Sequence, residues 1–220
     1  MNLTYEQLLP MMKMQDQLNR LINPEWVQAK YPWLRAAWVE SGELMEHVGW
    51  KWWKQQECNT VQAQIELVDI WHFMLSEWLG NTPKDEDVES AAALLIESMY
   101  APEKWTPAQD EALQRHTDLR IMIDSFAHLC SANVFNAKIF ERMMQLLGMS
   151  WDDMYRMYIA KNVLNIFRQH NGYKLGTYIK DWGGKEDNVV LEELMTEAPS
   201  ATPEELMAQL AVKYAEVTKT

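Results

Sequence analysis

The chain has 220 residues, of which 48% are hydrophobic, and it carries a formal net charge of −12 at pH 7. This length and apolar content suit one compact domain, or one domain with a large insertion, that needs no disulfides. The acidic balance excludes duplex nucleic acid bound through its phosphates, because such binding needs a basic face. A polyphosphate substrate is not excluded, since bound divalent cations can reverse the local field.

The two cysteines, Cys58 and Cys130, lie far apart without zinc-ligand spacing, so we expect buried, reduced thiols. The first residues lack a basic segment followed by an apolar one, and no apolar run reaches membrane-spanning length. These features predict a cytoplasmic protein that binds neither nucleic acid nor membrane.

The first half of the chain shows helical periodicity. Residues recur at spacings of three and four from Tyr5 to Leu21, which predicts a first helix. Its inner face comprises Leu8, Met11, Met12, Gln15, Leu18 and Asn19. A second helix is predicted from Trp33 to Val48, ending at Gly49, and a third over 60–79.

The second half continues the helical pattern. Ser150, with Asp153 three residues later, predicts the N-cap of a helix that runs to about Arg168. Thr202 followed by Pro203 and two glutamates predicts the start of a last helix. Few segments alternate with period two, so we predict an all-α helical bundle. Other predicted helices lie at 85–99, within 107–130 and at 138–147.

Residues 81–136 have the character of an insertion. Breaks at Pro102 and Pro107 interrupt this segment, and it carries none of the motifs that follow. We predict a catalytic bundle formed by residues 1–80 and 137–220. The segment 81–136 is predicted to form a helical cap, either within the same domain or mobile beside it.

Two pairs of acidic residues suggest metal chemistry. Glu40 and Glu43 lie three residues apart on the second predicted helix, and Glu66 and Asp69 share that spacing on the third. Their neighbours are apolar, so the four carboxylates are expected to face a helix interface at a large desolvation cost. Mg²⁺ would relieve that cost and is commonly shared with substrate phosphates. Acid pairs at this spacing are also common on solvated helix faces.

A group of cations follows later in the chain. Lys161, Asn165 and Arg168 fall at i, i+4 and i+7 and so share one helix face. A glycine-containing loop with Tyr173 and Lys174 comes next. Such a group can clamp a polyphosphate, although surface ion pairing produces the same spacing.

Aromatic residues form a third motif. Trp50, Trp52 and Trp53 alternate with lysines directly after the first acid pair. Indole rings can stack on a base, but they also fill cores, and we expect at least one of the three to do so. We expect His72 to be a core histidine donating one hydrogen bond rather than a metal ligand.

Together these motifs resemble the dimeric dUTPases, which belong to the all-α NTP pyrophosphatase superfamily. The ExxE and ExxD pairs mark only the superfamily, whereas the later run is more specific. The resemblance covers residues 5–80 and 135–188. It rests on Glu40-Ser41-Gly42-Glu43-Leu44-Met45-Glu46, Trp50-Lys51-Trp52-Trp53-Lys54, Glu66-Leu67-Val68-Asp69-Ile70-Trp71-His72-Phe73 and Lys161-Asn162-Val163-Leu164-Asn165-Ile166-Phe167-Arg168-Gln169, continued by Gly172-Tyr173-Lys174 and Gly176-Thr177-Tyr178.

The resemblance also implies roles for individual residues. Two or more Mg²⁺ ions would be held by Glu40, Glu43, Glu66 and Asp69. Phosphates would be held by Lys161, Arg168, Tyr173, Lys174 and Lys180, of which Lys161 and Arg168 also serve catalysis. The nucleoside would meet Gln15, Asn19, Trp53 and Lys54, and the sugar or metal site would include Asn162 and Asn165. The candidates for the general base are Glu43 and, more weakly, Glu46.

The implied reaction is hydrolysis of dUTP, and of dUDP, to dUMP by a water that Mg²⁺ activates, in a homodimer. It would clear dUTP from the nucleotide pool and supply the precursor of dTMP. Two alternatives remain open. Because side-chain amides can present a donor or an acceptor, the enzyme could also accept dCTP or a broader set of nucleotides. A helical interaction protein with a Trp- and Met-rich surface is the second.

Overall fold

The computed structural model describes residues 2–83, 85–101 and 106–218, and the predicted break at Pro102 lies outside them. Within these ranges the chain forms eleven α-helices, one 3₁₀ turn and no strand, which confirms the all-α prediction. The helices are α1 (Tyr5–Ile22), α2 (Trp26–Ala29), α3 (Trp33–Val48), α4 (Thr60–Asn81), α5 (Val88–Tyr100), α6 (Pro107–Gln114), α7 (Leu119–Ser131), α8 (Ala137–Leu146), α9 (Trp151–His170), α10 (Asp187–Glu197) and α11 (Pro203–Val217), with the 3₁₀ turn at Tyr173–Leu175.

Local sequence signals place most helix ends. Ser150 and Asp153 form the predicted capping box of α9, and Thr202 and Glu205 form that of α11. The prediction missed α2, which is one turn long, and α10, whose N-cap residue Glu186 makes no side-chain capping bond. Helices without a capping signal are the ones that sequence patterns reveal least.

One continuous core holds most of the molecule together. All six side chains predicted for the inner face of α1 are buried. Helix α4 lies at the centre and packs against α1, α3 and α9. Helices α5 and α7, from the predicted insertion, pack on α1 and α3, and their Leu95 and Phe126 join the same core as Leu8 and Trp71. This packing favours the interpretation that residues 81–136 belong to the same domain.

A smaller core lies at the C-terminal end. The second half of α9 packs against α10 and α11, and Phe167 is surrounded by Tyr178, Trp182 and Tyr214. These contacts fix the end of α9, which carries the predicted phosphate-binding residues.

The two thiols differ in environment. Cys130 is buried as predicted, and burial raises its pKa to about 12, whereas Cys58 is exposed, contrary to the prediction. Cys58 lies in the connection between α3 and α4 rather than in a helix face. Among the described helices, none is both long enough and apolar enough to cross a membrane.

Candidate active site

Three acidic residues converge between α3 and α4. Oxygens of Glu40, Glu43 and Glu66 lie within 4.8 Å of one another, and we call this group the carboxylate cluster. Glu66 is buried, Glu40 is half-buried and Glu43 is exposed, so the cluster reaches solvent at Glu43. The spacing of three residues on α3 brings Glu40 and Glu43 to the same side of that helix.

The carboxylate cluster is electrostatically costly when ionised. Burial, and then the charges of Asp69 and Glu43, raise the pKa of Glu40 to about 7. Burial, and then the charges of Asp69 and Glu40, raise the pKa of Glu66 to about 8. A bound cation would remove this repulsion. Because carboxylate oxygens are ligands that Mg²⁺ prefers, these residues fit the ion that the sequence predicted.

Asp69, the fourth predicted ligand, makes a different contact. Its Oδ2 accepts a hydrogen bond from Lys161 Nζ at 2.7 Å, and Lys161 is only 4% exposed. The charge of Asp69 still acts on both Glu40 and Glu66, so it lies beside the carboxylate cluster. His47 also approaches the cluster, with Nε2 at 3.4 Å from Glu66 Oε1. Sequence spacing did not point to His47, although it lies four residues after Glu43.

Arg168 is held in a buried ion pair. Its Nε and Nη2 donate to the two carboxylate oxygens of Asp187 at 2.8 and 2.7 Å, and the Tyr178 hydroxyl also donates to Asp187 at 2.7 Å. Asn188 Oδ1 accepts from both Lys161, at 3.0 Å, and Arg168, at 3.2 Å. The structure thus joins the two predicted catalytic cations through one amide. The alternative of ordinary surface ion pairing is wrong for them, because both are buried.

Asp187 and Asn188 were missed from sequence. They begin α10, and the two consecutive polar residues resemble an ordinary solvated helix start. Only the tertiary packing of α10 against α9 brings them to the cations.

A second polar group lies deeper, between α1, α4 and α9, and we call it the amide network. Its members, all buried, are Gln15, Asn19, His72, Ser76 and Tyr158. His72 Nδ1 lies 2.7 Å from Gln15 Oε1, which agrees with the predicted core histidine, and burial lowers its pKa to about 3. Its ring stacks on Tyr158 with 4.1 Å between centroids. Helix α4 supplies both groups, with Glu66, Asp69, His72 and Ser76 at spacings of three, three and four residues.

Some polar atoms between these groups have no partner. Asn162 is fully buried, and neither its amide nitrogen nor its amide oxygen makes a hydrogen bond of good geometry in the described part of the chain, although its side chain lies beside the Tyr158 hydroxyl. His72 Nε2 likewise makes no such bond there. Buried polar atoms without partners are rare in proteins and call for a ligand or a solvent molecule as partner.

Asn165, predicted for the sugar or metal site, and the remaining predicted phosphate-binding residues lie at the end of α9 and beyond it. Asn165 Oδ1 accepts from Arg168 Nη1 at 3.1 Å, and the Tyr173 ring centroid lies 5.7 Å from Arg168 Cζ. By contrast, Lys174 Nζ donates to the Ile22 carbonyl at 2.6 Å, and Lys180 Nζ lies 3.3 Å from a Glu186 oxygen. Asn165 and Tyr173 therefore contact the guanidinium, while Lys174 and Lys180 are engaged elsewhere.

The connection between α3 and α4, residues 49–59, forms a loop that we call the tryptophan loop. Trp50, Trp52 and Trp53 are 42%, 89% and 56% exposed, so the expectation that one of them fills the core is wrong. They pack edge to face on one another instead. The loop leaves α3 at Gly49, where φ is +83° and an added Cβ would lie 2.9 Å from the Gln56 Cβ.

Glu46 anchors the start of this loop. It accepts hydrogen bonds from Lys51 Nζ at 2.6 Å and from Trp50 Nε1 at 2.7 Å. These bonds, with Lys51 first, lower the pKa of Glu46. Lys54, a predicted nucleoside contact, is exposed in the same loop.

A family model described as dUTPase matches residues 7–173. The chain belongs to the dimeric, all-α dUTPase family. The matched range contains the carboxylate cluster, the amide network and the tryptophan loop, but it ends before Lys180, Asp187 and Asn188. No curated protein matches the chain.

Proposed function

We propose that the chain is a Mg²⁺-dependent dUTP diphosphatase that converts dUTP, and also dUDP, to dUMP. The carboxylate cluster beside two buried cations supports this proposal most directly. A polyanionic substrate needs positive charge around its phosphates, and a divalent cation would relieve the repulsion between clustered carboxylates once they are ionised. The family supports the coarser statement, a dUTPase-type hydrolase.

Glu40, Glu43 and Glu66 would hold Mg²⁺, with Asp69 beside them. When bound there, the ion supplies charge neutralisation and lowers the pKa of a coordinated water. Glu43 is the best placed of the cluster to accept a proton, since it is the most exposed. Glu46 is the weaker candidate, because Lys51 and Trp50 already occupy its two oxygens and lower its pKa.

Lys161 and Arg168 would neutralise the phosphates. Among the described residues, Lys161 donates to Asp69 and to Asn188, which uses two of its three N–H groups. Arg168 makes four hydrogen bonds and so keeps one of five N–H groups. Each cation therefore retains one donor for a phosphate oxygen while its protein partners hold it in place. Positioned charge of this kind stabilises phosphoryl transfer.

The test is turnover of a panel of nucleoside triphosphates with Mg²⁺, scored for monophosphate and pyrophosphate. We expect dUTP to dominate. The double variant Glu43→Gln/Asp69→Asn should be inactive, and Glu97→Gln/Asp124→Asn, which removes the same charge from exposed sites on α5 and α7, should remain active.

Other outcomes would redirect the assignment. Comparable turnover of dCTP would favour a dual dCTPase/dUTPase, and turnover of many nucleotides would favour a broader pyrophosphatase. A folded protein that releases no pyrophosphate at saturating Mg²⁺ would overturn the proposal and favour a helical interaction protein.

A further inference from the structure

Ser76 lies at the centre of the amide network and is fully buried. Its hydroxyl donates to the His72 carbonyl at 2.9 Å. A carbonyl oxygen only accepts, so this bond consumes the single proton of Ser76 and leaves its two lone pairs for other partners. Gln15 Nε2, at 2.9 Å, and Asn19 Nδ2, at 3.0 Å, donate to those lone pairs.

This arrangement fixes the direction of both amides. An amide oxygen turned toward Ser76 would face a lone pair instead of a proton, and a buried pair of facing acceptors is costly. With its nitrogen on Ser76 and on Asn19 Oδ1, Gln15 presents its oxygen to His72 Nδ1 and to the Tyr158 hydroxyl, both at 2.7 Å. The single Tyr158 proton is shared with the Met11 carbonyl, which lies 3.0 Å from the same hydroxyl. His72 Nδ1 must then carry the ring proton, because it faces an acceptor, and Nε2 is a bare acceptor.

Gln15 and Asn19 differ in how many N–H groups and lone pairs remain free for a ligand. Gln15 uses both N–H groups and both lone pairs inside the amide network. Asn19 donates once, to Ser76, and accepts once, from Gln15, so one N–H and one lone pair remain among the described contacts. Of the two amides, only Asn19 keeps hydrogen-bonding capacity for substrate.

We propose that Ser76 is a positioning residue for base selection, which holds the Asn19 amide in one of its two orientations. Uracil presents a donor at N3 beside a carbonyl acceptor, whereas cytosine presents an acceptor at N3 beside an amino donor. An amide edge pairs with one of these bases as it stands and with the other only after a flip. Since the inference rests on the proposed function, the orientation held by Ser76 is the one that suits uracil.

The first test measures the ratio of kcat/KM for dUTP to that for dCTP in Ser76→Ala and Ser76→Cys. Cysteine keeps the side-chain volume but is a weak hydrogen-bonding group, so it protects the fold. Without this bond the Asn19 amide loses a preference worth about one net hydrogen bond, so the ratio should fall by about fivefold. A ratio within twofold of wild type in a folded variant would overturn the proposal.

The matched control is Ser41→Ala. Ser41 is a buried helix serine that also donates to the carbonyl four residues earlier, at 2.7 Å from Ala37, but among the described residues no amide donates to it. Its variant should keep the wild-type ratio. An equal fall of the ratio in Ser41→Ala would assign the effect to general loosening and overturn the role of Ser76.

The second test does not depend on turnover. Nuclear magnetic resonance of ring-labelled histidine reports which nitrogen of His72 carries the proton. We expect the Nδ1–H form in the wild type and a mixture in Ser76→Cys. A wild-type His72 protonated at Nε2 would overturn the orientation that we infer. If the wild type fails to hydrolyse dUTP, the proposed function falls, but the tautomer still decides whether Ser76 orients the amides.

Discussion

Glu40 and Glu66 hold protons at a pH where exposed carboxyl groups have lost theirs. Their ordinary pKa is 4.5, and in the folded chain burial and neighbouring acids raise it to about 7 and about 8. Between about pH 4.5 and about pH 8, the folded state therefore binds more protons than the unfolded state. The stability that these two groups contribute is fully present below about pH 4.5 and is lost as pH rises through about 7 and about 8.

Glu66→Gln should remove part of this dependence. In EDTA, the wild type should lose thermal stability from pH 6 to pH 9, and the variant should lose less. At pH 8.5 we expect the variant to melt about 2–4 °C higher, the shift that about 1 kcal/mol produces in a chain of this size. At pH 5, where Glu66 is protonated, the two should agree. Scanning calorimetry checks this, with Glu97→Gln as the exposed control, and parallel melting curves at every pH would contradict it.

Among single residues, sequence spacing was a good guide to some positions and a poor guide to others. The i, i+3 rule brings Glu40 and Glu43 together because both lie on α3. No local pattern shows that Asp187 and Asn188 meet Arg168, since that contact depends on how α10 packs. The amide network was equally inaccessible, because Ser76 and Tyr158 belong to no motif and act only through tertiary contacts.

At the scale of elements, one ion pair fastens α10 to α9. Asp187 is completely buried, and the Arg168 guanidinium reaches it with two nitrogens. Asp187→Ala would leave a buried guanidinium without its counter-charge, and breaking such a pair costs about 3–5 kcal/mol. Glu111→Ala, which removes the exposed partner of Arg115, should cost at most about 1 kcal/mol. Urea unfolding of both variants measures the difference, and equal losses would show that the buried pair is not structural.

The tryptophan loop offers a second prediction at this scale. Trp53 is the predicted nucleoside contact, whereas Trp52, its neighbour, is even more exposed. Trp53→Ala should raise the KM for dUTP, with a loss of about 1–3 kcal/mol if the indole stacks on the base. Neither Trp53→Ala nor Trp52→Ala should change the melting temperature by more than about 1–2 °C, because both side chains lie outside the core. Steady-state kinetics decide the matter, and an unchanged KM in Trp53→Ala would remove this residue from the site.

At the scale of the whole molecule, the chain retains exposed apolar side chains that suit association. Large ones on α3 and α7 are Trp38, Val39 and Ile121, each 48–49% exposed. We predict a homodimer, so sedimentation equilibrium should give about twice the chain mass of 25.8 kDa. A single species at the monomer mass over micromolar concentrations would contradict this prediction.

The individual helices were more predictable from sequence than the way in which they pack together. Helical periodicity and capping boxes identified α1, α9 and α11, because these signals are local. The insertion of residues 81–136 rested instead on their lack of motifs, and it stays a prediction. Sequence patterns did not show that α5 and α7 share the main core, since that depends on which faces meet after collapse.

Helix α4 carries both halves of the site on successive turns, from Glu66 and Asp69 to His72 and Ser76. Each residue of an α-helix turns the chain by about 100°. Inserting or deleting one residue between Asp69 and His72 would therefore swing the amide network away from the carboxylate cluster, whatever residue were added. During divergence this helix should tolerate many substitutions but no change in length. Gains and losses of residues should instead accumulate in connections such as 132–136, between α7 and α8, where they do not rotate one half of a helix against the other.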